Sequence, residues 1–176
     1  SNQNFYVNGG RVTSMTLTAV CPYDPYPAEV RSAIFAKIGD FLSVASGESP
    51  ICGAMSVDVA NTARGLWTLQ SAPTNQASDE TNFAVLAPHP LLPQSAQTFS
   101  IGVASVSGSL NAPLEKFPRA ATGRVNRQFA DVSADGQIYC YVTSTATARY
   151  SYFVRLASGN VLTIQKLAHG PGASPC

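Results

Sequence analysis

A chain of 176 residues with 45% hydrophobic residues has the size and apolar content of one folded domain and is not disordered by composition. Charged residues are only 12% and the net charge is +1, which excludes the strong basic field of a nucleic-acid-binding protein. No run reaches the ~18–20 apolar residues that a membrane-spanning helix needs.

Residues 1–10 are polar, end in Gly9-Gly10 and read as a loose leader ahead of a single domain over 11–176. The start lacks a basic segment followed by an apolar run, as expected of a chain whose export signal has been removed. Residues 11–20 predict a strand, with Val12, Ser14, Thr16 and Thr18 on one side and Thr13, Met15 and Leu17 on the other. The proline-rich run after Cys21 ends it. One amphipathic helix is predicted over about 27–45. Pro27 suits its first turn, Glu29 favours its dipole, and Val30, Ile34, Phe35, Ile38, Phe41, Leu42 and Ala45 form one apolar stripe.

Beyond Cys52 the pattern turns to short β-like runs: 65–71, 82–87, 98–105, 125–132, 137–144, 149–157 and 161–168. Residues 72–81, 87–97 and 108–123 read as loops. Asp135-Gly136 and Gly159-Asn160 are turn signals. The fold expected is α+β and mostly antiparallel β. Its meander closes as a barrel or a sandwich, with the helix packed against it.

Four cysteines, Cys21, Cys52, Cys140 and Cys176, stand far apart with no C-x-x-C pair, so they suit disulfides better than zinc. Three connectivities are open. Cys21–Cys52 with Cys140–Cys176 is favoured because each bridge closes a local unit, worth roughly 3–4 kcal/mol apiece by loop-entropy reasoning. An oxidising compartment, secreted or periplasmic, is the preferred reading, and a cytosolic chain with four reduced thiols is the alternative.

The chemistry-bearing residues are sparse. Asp131, Ser133, Asp135 and Gly136 match the first half of a calcium-loop spacing, but the twelfth position is Val142, where such loops need a glutamate. A turn is the preferred reading, and no metal or cofactor is expected. His89 and His169 sit in loops, without a G-x-S-x-G nucleophile elbow or a visible cysteine partner. No catalytic residue is assigned. A hydrolase using His89 and scattered carboxylates is the least favoured reading. Tyr139, Tyr141, Tyr150 and Tyr152 fall on adjacent predicted strands, either as cross-strand pairs or as an aromatic platform for a sugar or apolar ligand.

Gly65-Leu66-Trp67 resembles the G-x-W that opens the first barrel strand of lipocalin-like proteins. That resemblance implies a tryptophan at the barrel base with a late-strand arginine across it, here Arg155. Two longer blocks resemble a family of uncharacterised exported bacterial proteins. One is Pro50-Ile-Cys52-Gly53 with Asp58 through Trp67. The other is Gly123 through Phe129 running into Asp135 through Tyr141. The resemblance spans roughly 50–165 and implies export and one β-rich domain.

The resulting expectation is an exported, non-enzymatic β-domain that binds a small apolar or sugar ligand through Trp67, Tyr139, Tyr141, Tyr150, Tyr152 and Arg155, or contacts an envelope protein. The alternative is a surface module for structure or protein interaction.

Overall fold

The alternation predicted for the C-terminal runs is realised as strands, and these sit in one antiparallel sheet. The computed structural model describes residues 3–7, 21–38, 57–70, 83–89, 92–101, 112–142, 150–170 and 176. The strands are β1 (Gln3–Val7), β2 (Gly65–Leu69), β3 (Phe83–Pro88), β4 (Ala96–Ile101), β5 (Ala112–Pro118), β6 (Tyr139–Val142), β7 (Tyr150–Ser158) and β8 (Val161–Ala168). Their order is β5-β4-β3-β2-β1-β8-β7-β6. Two meanders therefore meet where β1 pairs with β8, from Gln3↔Gln165 to Val7↔Val161. The Gly159-Asn160 turn joins β7 to β8, with Leu156 opposite Leu162 and a register shift before Ser158.

One face of this sheet is the core. Trp67 on β2, Leu86 on β3, Phe99 on β4, Phe117 on β5, Tyr141 on β6, Tyr152 on β7 and Ile164 on β8 are all buried. Rings from opposite ends of the strand order meet across it. Phe99 lies 5.2 Å from Tyr152, and Phe117 lies 5.7 Å from Tyr141 and 5.9 Å from Tyr152, centroid to centroid. The sheet thus curls until its two halves face each other. Each buried side chain of this size contributes about 1.5–3 kcal/mol by leaving water, and edge-on ring pairs add about 0.5–1.5 kcal/mol.

The expected barrel is not closed, because β5 and β6 do not pair. The connector between them supplies two isolated parallel bridges instead, Ala120↔Arg127 and Val125↔Cys140. Its residues 125–132, predicted as a strand, are not one. Asn126 adopts φ 53°, in the left-handed region, and Phe129–Asp131 form a 3-10 turn. Conversely, β5 falls in the predicted loop 108–123. Pro113 and Pro118 hide it from pattern reading, and an edge strand tolerates both.

The N-terminal leader also differs from expectation, since residues 3–7 pair between β2 and β8 inside the sheet. Five residues are too few to show a period against polar and glycine flanks. The helix, α1 (Ala28–Phe35), follows Pro27 and carries Glu29 in its first turn. None of its residues is buried, and Val30 is 41% exposed, so no apolar face packs on the sheet within the described part. Phe35 meets Tyr23 edge-on at 5.8 Å, and Arg31 lies 3.4 Å from Asp24. Residues 36–38 leave the helix in a turn, and residues 39–45 of the predicted helix, the predicted strand 11–20 and Cys52 lie outside the described residues.

Candidate functional site

The connector from Arg119 to Ile138 crosses one end of the curled sheet, and two buried amides, Gln97 and Asn126, organise it. Gln97 on β4 is 1% exposed. Its Nε2 donates to the carbonyls of Asn126 at 2.9 Å, Arg127 at 3.1 Å and Pro118 at 3.3 Å, and its Oε1 accepts the Phe129 N–H at 3.1 Å. Burying a polar amide is tolerated only when it is satisfied in this way. Asn126 fastens the other side. Its Oδ1 accepts the Val142 N–H at 2.9 Å and its Nδ2 donates to the Val142 carbonyl at 3.1 Å, so one side chain serves β6 as a neighbouring strand would.

These anchors drive Phe129 into the core, 4.8 Å from the Tyr141 ring and 6.3 Å from Phe99. Tyr141 Oη donates to the Arg127 carbonyl at 2.9 Å. On the β2 side, Ala63 and Arg64 donate their N–H groups to the carbonyls of Val132 and Phe129. Trp67 Nε1 donates to the Ala63 carbonyl at 2.9 Å. A Cβ at Gly65 would meet Asp58 Oδ1 at 2.5 Å, so a larger residue there has to displace the carboxylate oxygen that accepts the Leu66 N–H.

Beside this plug lies a small cleft lined by Arg64, Pro88, Gln97, Arg119, Gln128, Phe129 and Ala130. Its space is about 10 Å³, roughly that of one water-sized group. Arg64 is oriented by its Nε, which donates to the Val57 carbonyl at 3.1 Å. Arg119 donates to Gln128 Oε1, a neutral partner. Arg127 contacts the Ala121 carbonyl and lies 3.3 Å from Asp131. Sequence reading passed over Gln97, Arg64 and Arg119. The available signal was residues 116–130, which hold Lys116, Arg119, Arg124 and Arg127 and no acid.

The residues proposed from sequence are placed differently from a ligand platform. Trp67, Tyr139, Tyr141 and Tyr152 are buried, with Tyr141 opposite Tyr152 in register. Tyr150 is 43% exposed at the other end of the sheet, with Lys166 Nζ 4.0 Å from its ring centre. Arg155 is exposed on the outward face of β7, opposite to the buried Val154 and Leu156, so it does not cross Trp67 as the lipocalin-like pattern implies.

The Asp135-Gly136 turn is built from its own groups. Gly136 takes φ 77°, and Asp135 accepts the Gln137 N–H at 2.9 Å and the Tyr139 hydroxyl at 2.6 Å. These bonds, the Tyr139 one first, lower the Asp135 pKa, and the same contact raises that of Tyr139. Burial raises the Tyr141 pKa well above its ordinary value. Among the described residues no group of three metal-ligating side chains converges.

The histidines close turns. His89 Nδ1 accepts the Leu92 N–H at 3.2 Å, and burial, with Lys116 second, lowers its pKa. His169 Nε2 lies 3.1 Å from Ser151 Oγ and its Nδ1 lies 3.0 Å from the Gly170 carbonyl. Ser151 is fully buried, which keeps its oxygen from a substrate. Cys140 and Cys176 are bridged, with Cα atoms 5.8 Å apart, and Cys21 is also disulfide-bonded. No protein-family model matches the chain, and no curated protein or solved structure is significantly similar to it.

Proposed function

We propose that this chain is an exported, non-enzymatic β-domain that works through its outer surface on another component of the cell envelope. The observation that carries this reading is the filling of the curled sheet. Trp67, Phe99, Phe117, Tyr141, Tyr152, Leu86, Leu156, Leu162 and Ile164 are all less than 2% exposed and occupy the space an enclosed ligand would need. An apolar guest between the described strands has to displace ring pairs that already interlock, at a cost comparable to a core substitution.

Export is supported by the disulfides at Cys140–Cys176 and at Cys21, which persist in oxidising compartments. No helix among the described residues is long and apolar enough to cross a membrane. The outward side of the β6 region offers contact area of its own. Val125 is 42% exposed and Ile138 53%, and both flank the bridged Cys140.

The test is titration of the native protein with an apolar fluorescent probe such as an anilinonaphthalene sulfonate. The reading expects weak, non-saturating enhancement. Saturable binding of one probe per chain, with competition by fatty acids or sugars, would refute it and restore the enclosed-ligand reading.

A further inference from the structure

Cys140 and Cys176 share one disulfide, but the protein holds its two halves differently. Cys140 sits in β6, is 6% exposed and pairs with Phe153 on β7. Its backbone is fixed on the other side as well. The Cys140 N–H donates to the Arg124 carbonyl at 2.9 Å, and the Cys140 carbonyl accepts the Asn126 N–H at 2.8 Å. Cys176, 36 residues further along, is exposed. One sulfur therefore belongs to a residue built into the sheet and the other to a residue facing solvent.

A disulfide is opened by a thiolate that attacks one sulfur and expels the other. Attack on Cys140 has to come from the side of the bond away from Cys176, where the buried residue meets the sheet. Attack on Cys176 comes from the opposite side, which faces solvent. Leaving-group chemistry works against this order, since burial raises a thiol's pKa and a thiolate of high pKa leaves slowly. Access decides, because a sulfur that cannot be reached does not react at all. The return step is intramolecular, so an adduct persists only while the entering thiol is in excess.

We propose that Cys176 is a site of reversible thiolation, where an external low-molecular-weight thiol enters the bridge and Cys140 is the leaving group. The entering thiolate forms a new S–S bond to Cys176 Sγ. The Cys140–Cys176 bond breaks, and its electron pair leaves on Cys140 Sγ, which takes a proton from water. The entering sulfur is oxidised to the disulfide level as Cys140 is reduced to the thiol, so the exchange balances with the thiol alone. Opening does not require β6 to leave the sheet. The pairing with β7, the two backbone bonds of Cys140 and the Asn126 bonds to Val142 are all made by groups other than sulfur. The site does not depend on what contacts the outward apolar residues.

Native protein incubated with excess reduced glutathione tests this. Samples are taken early, quenched with N-ethylmaleimide in acidic denaturant and digested with trypsin without reduction. Cys140 and Cys176 fall in separate tryptic peptides, 128–149 and 167–176. The expected result is loss of the disulfide-linked pair, with glutathione on 167–176 and maleimide on 128–149, while Trp67 emission before the quench stays native. Removing free glutathione before the quench should restore the linked pair. Glutathione on 128–149 with maleimide on 167–176 overturns the proposal. So does a bridge that stays linked under excess glutathione, or one that opens only as Trp67 emission moves to its unfolded value.

Discussion

Replacing Gln97 by leucine tests whether one amide holds the plug in place. Leucine is close to glutamine in size but carries neither donor nor acceptor. The Asn126 carbonyl would keep the Ala120 N–H at 2.8 Å, and the Arg127 carbonyl would keep the Tyr141 hydroxyl at 2.9 Å. The Phe129 N–H would lose Gln97 Oε1, at 3.1 Å its hydrogen-bond acceptor, inside the core. One orphaned buried donor costs about 1–3 kcal/mol, and removing the Nε2 donor from the three carbonyls of Asn126, Arg127 and Pro118 brings the expected loss to about 2–4 kcal/mol. Trp67 is the only tryptophan in the chain and is fully buried, so its emission follows unfolding directly. With a urea dependence near 2 kcal/mol per molar, the midpoint should fall by about 1–2 M at unchanged slope. A midpoint within about 0.3 M of the parent would refute the account, because an unpaired buried amide cannot be that cheap.

Cys176→Ser removes the bridge to Cys140 and should cost about 3–4 kcal/mol. That corresponds to a fall of about 6–16 °C in the thermal midpoint of a domain this size. An unchanged midpoint would mean that the bridge constrains nothing, and mass spectrometry under non-reducing conditions should count no free thiol in the native parent. The Tyr141 phenol is kept neutral by burial, so its folded pKa lies above its unfolded value of 10.0. Its stabilising contribution is whole below pH 10 and is lost as pH rises from there through the folded value. Stability measured across that window should decline in the parent and decline less in Tyr141→Phe, and equal slopes would reject the burial argument.

The legible parts of this fold are those where alternation runs long enough to register. Strands β7 and β8 occupy 150–158 and 161–168, close to the predicted 149–157 and 161–168, because nine and eight residues display the period and Gly159-Asn160 marks the turn. Strand β5 was illegible because Pro113 and Pro118 signal a loop, and only its place at a sheet edge makes them acceptable. Residues 125–132 misled in the opposite way. Val125, Asn126 and Phe129 read as strand, yet Asn126 spends its side chain on β6 and takes a left-handed backbone to do so. The site was hidden for a related reason. Gln97 and Arg119 are drawn together by long-range bonds to the connector, and no local spacing encodes a contact between residues 97 and 129.

The connector also decides how this sheet can meet other proteins. An open sheet exposes unpaired backbone groups at its edges, which invite a further strand from another chain. At β6 the invitation is withdrawn. Cys140 donates to the Arg124 carbonyl and accepts from the Asn126 N–H, and Val142 exchanges both of its bonds with the Asn126 side chain. At β5 the sequence places Pro113 and Pro118, neither of which has an N–H to give. Strand addition is therefore blocked at β6 and impaired at β5. Under the proposed reading, a partner would meet the outward side chains near the Cys140 bridge, Val125 and Ile138, and not a free strand edge. The positions of Val125, Ile138, Arg119 and Gln128 all depend on the same stretch of chain. An anchor substitution such as Gln97→Leu should thus disturb these side chains and the small cleft together, whereas Gln128→Glu should alter the cleft and leave the apolar side chains in place.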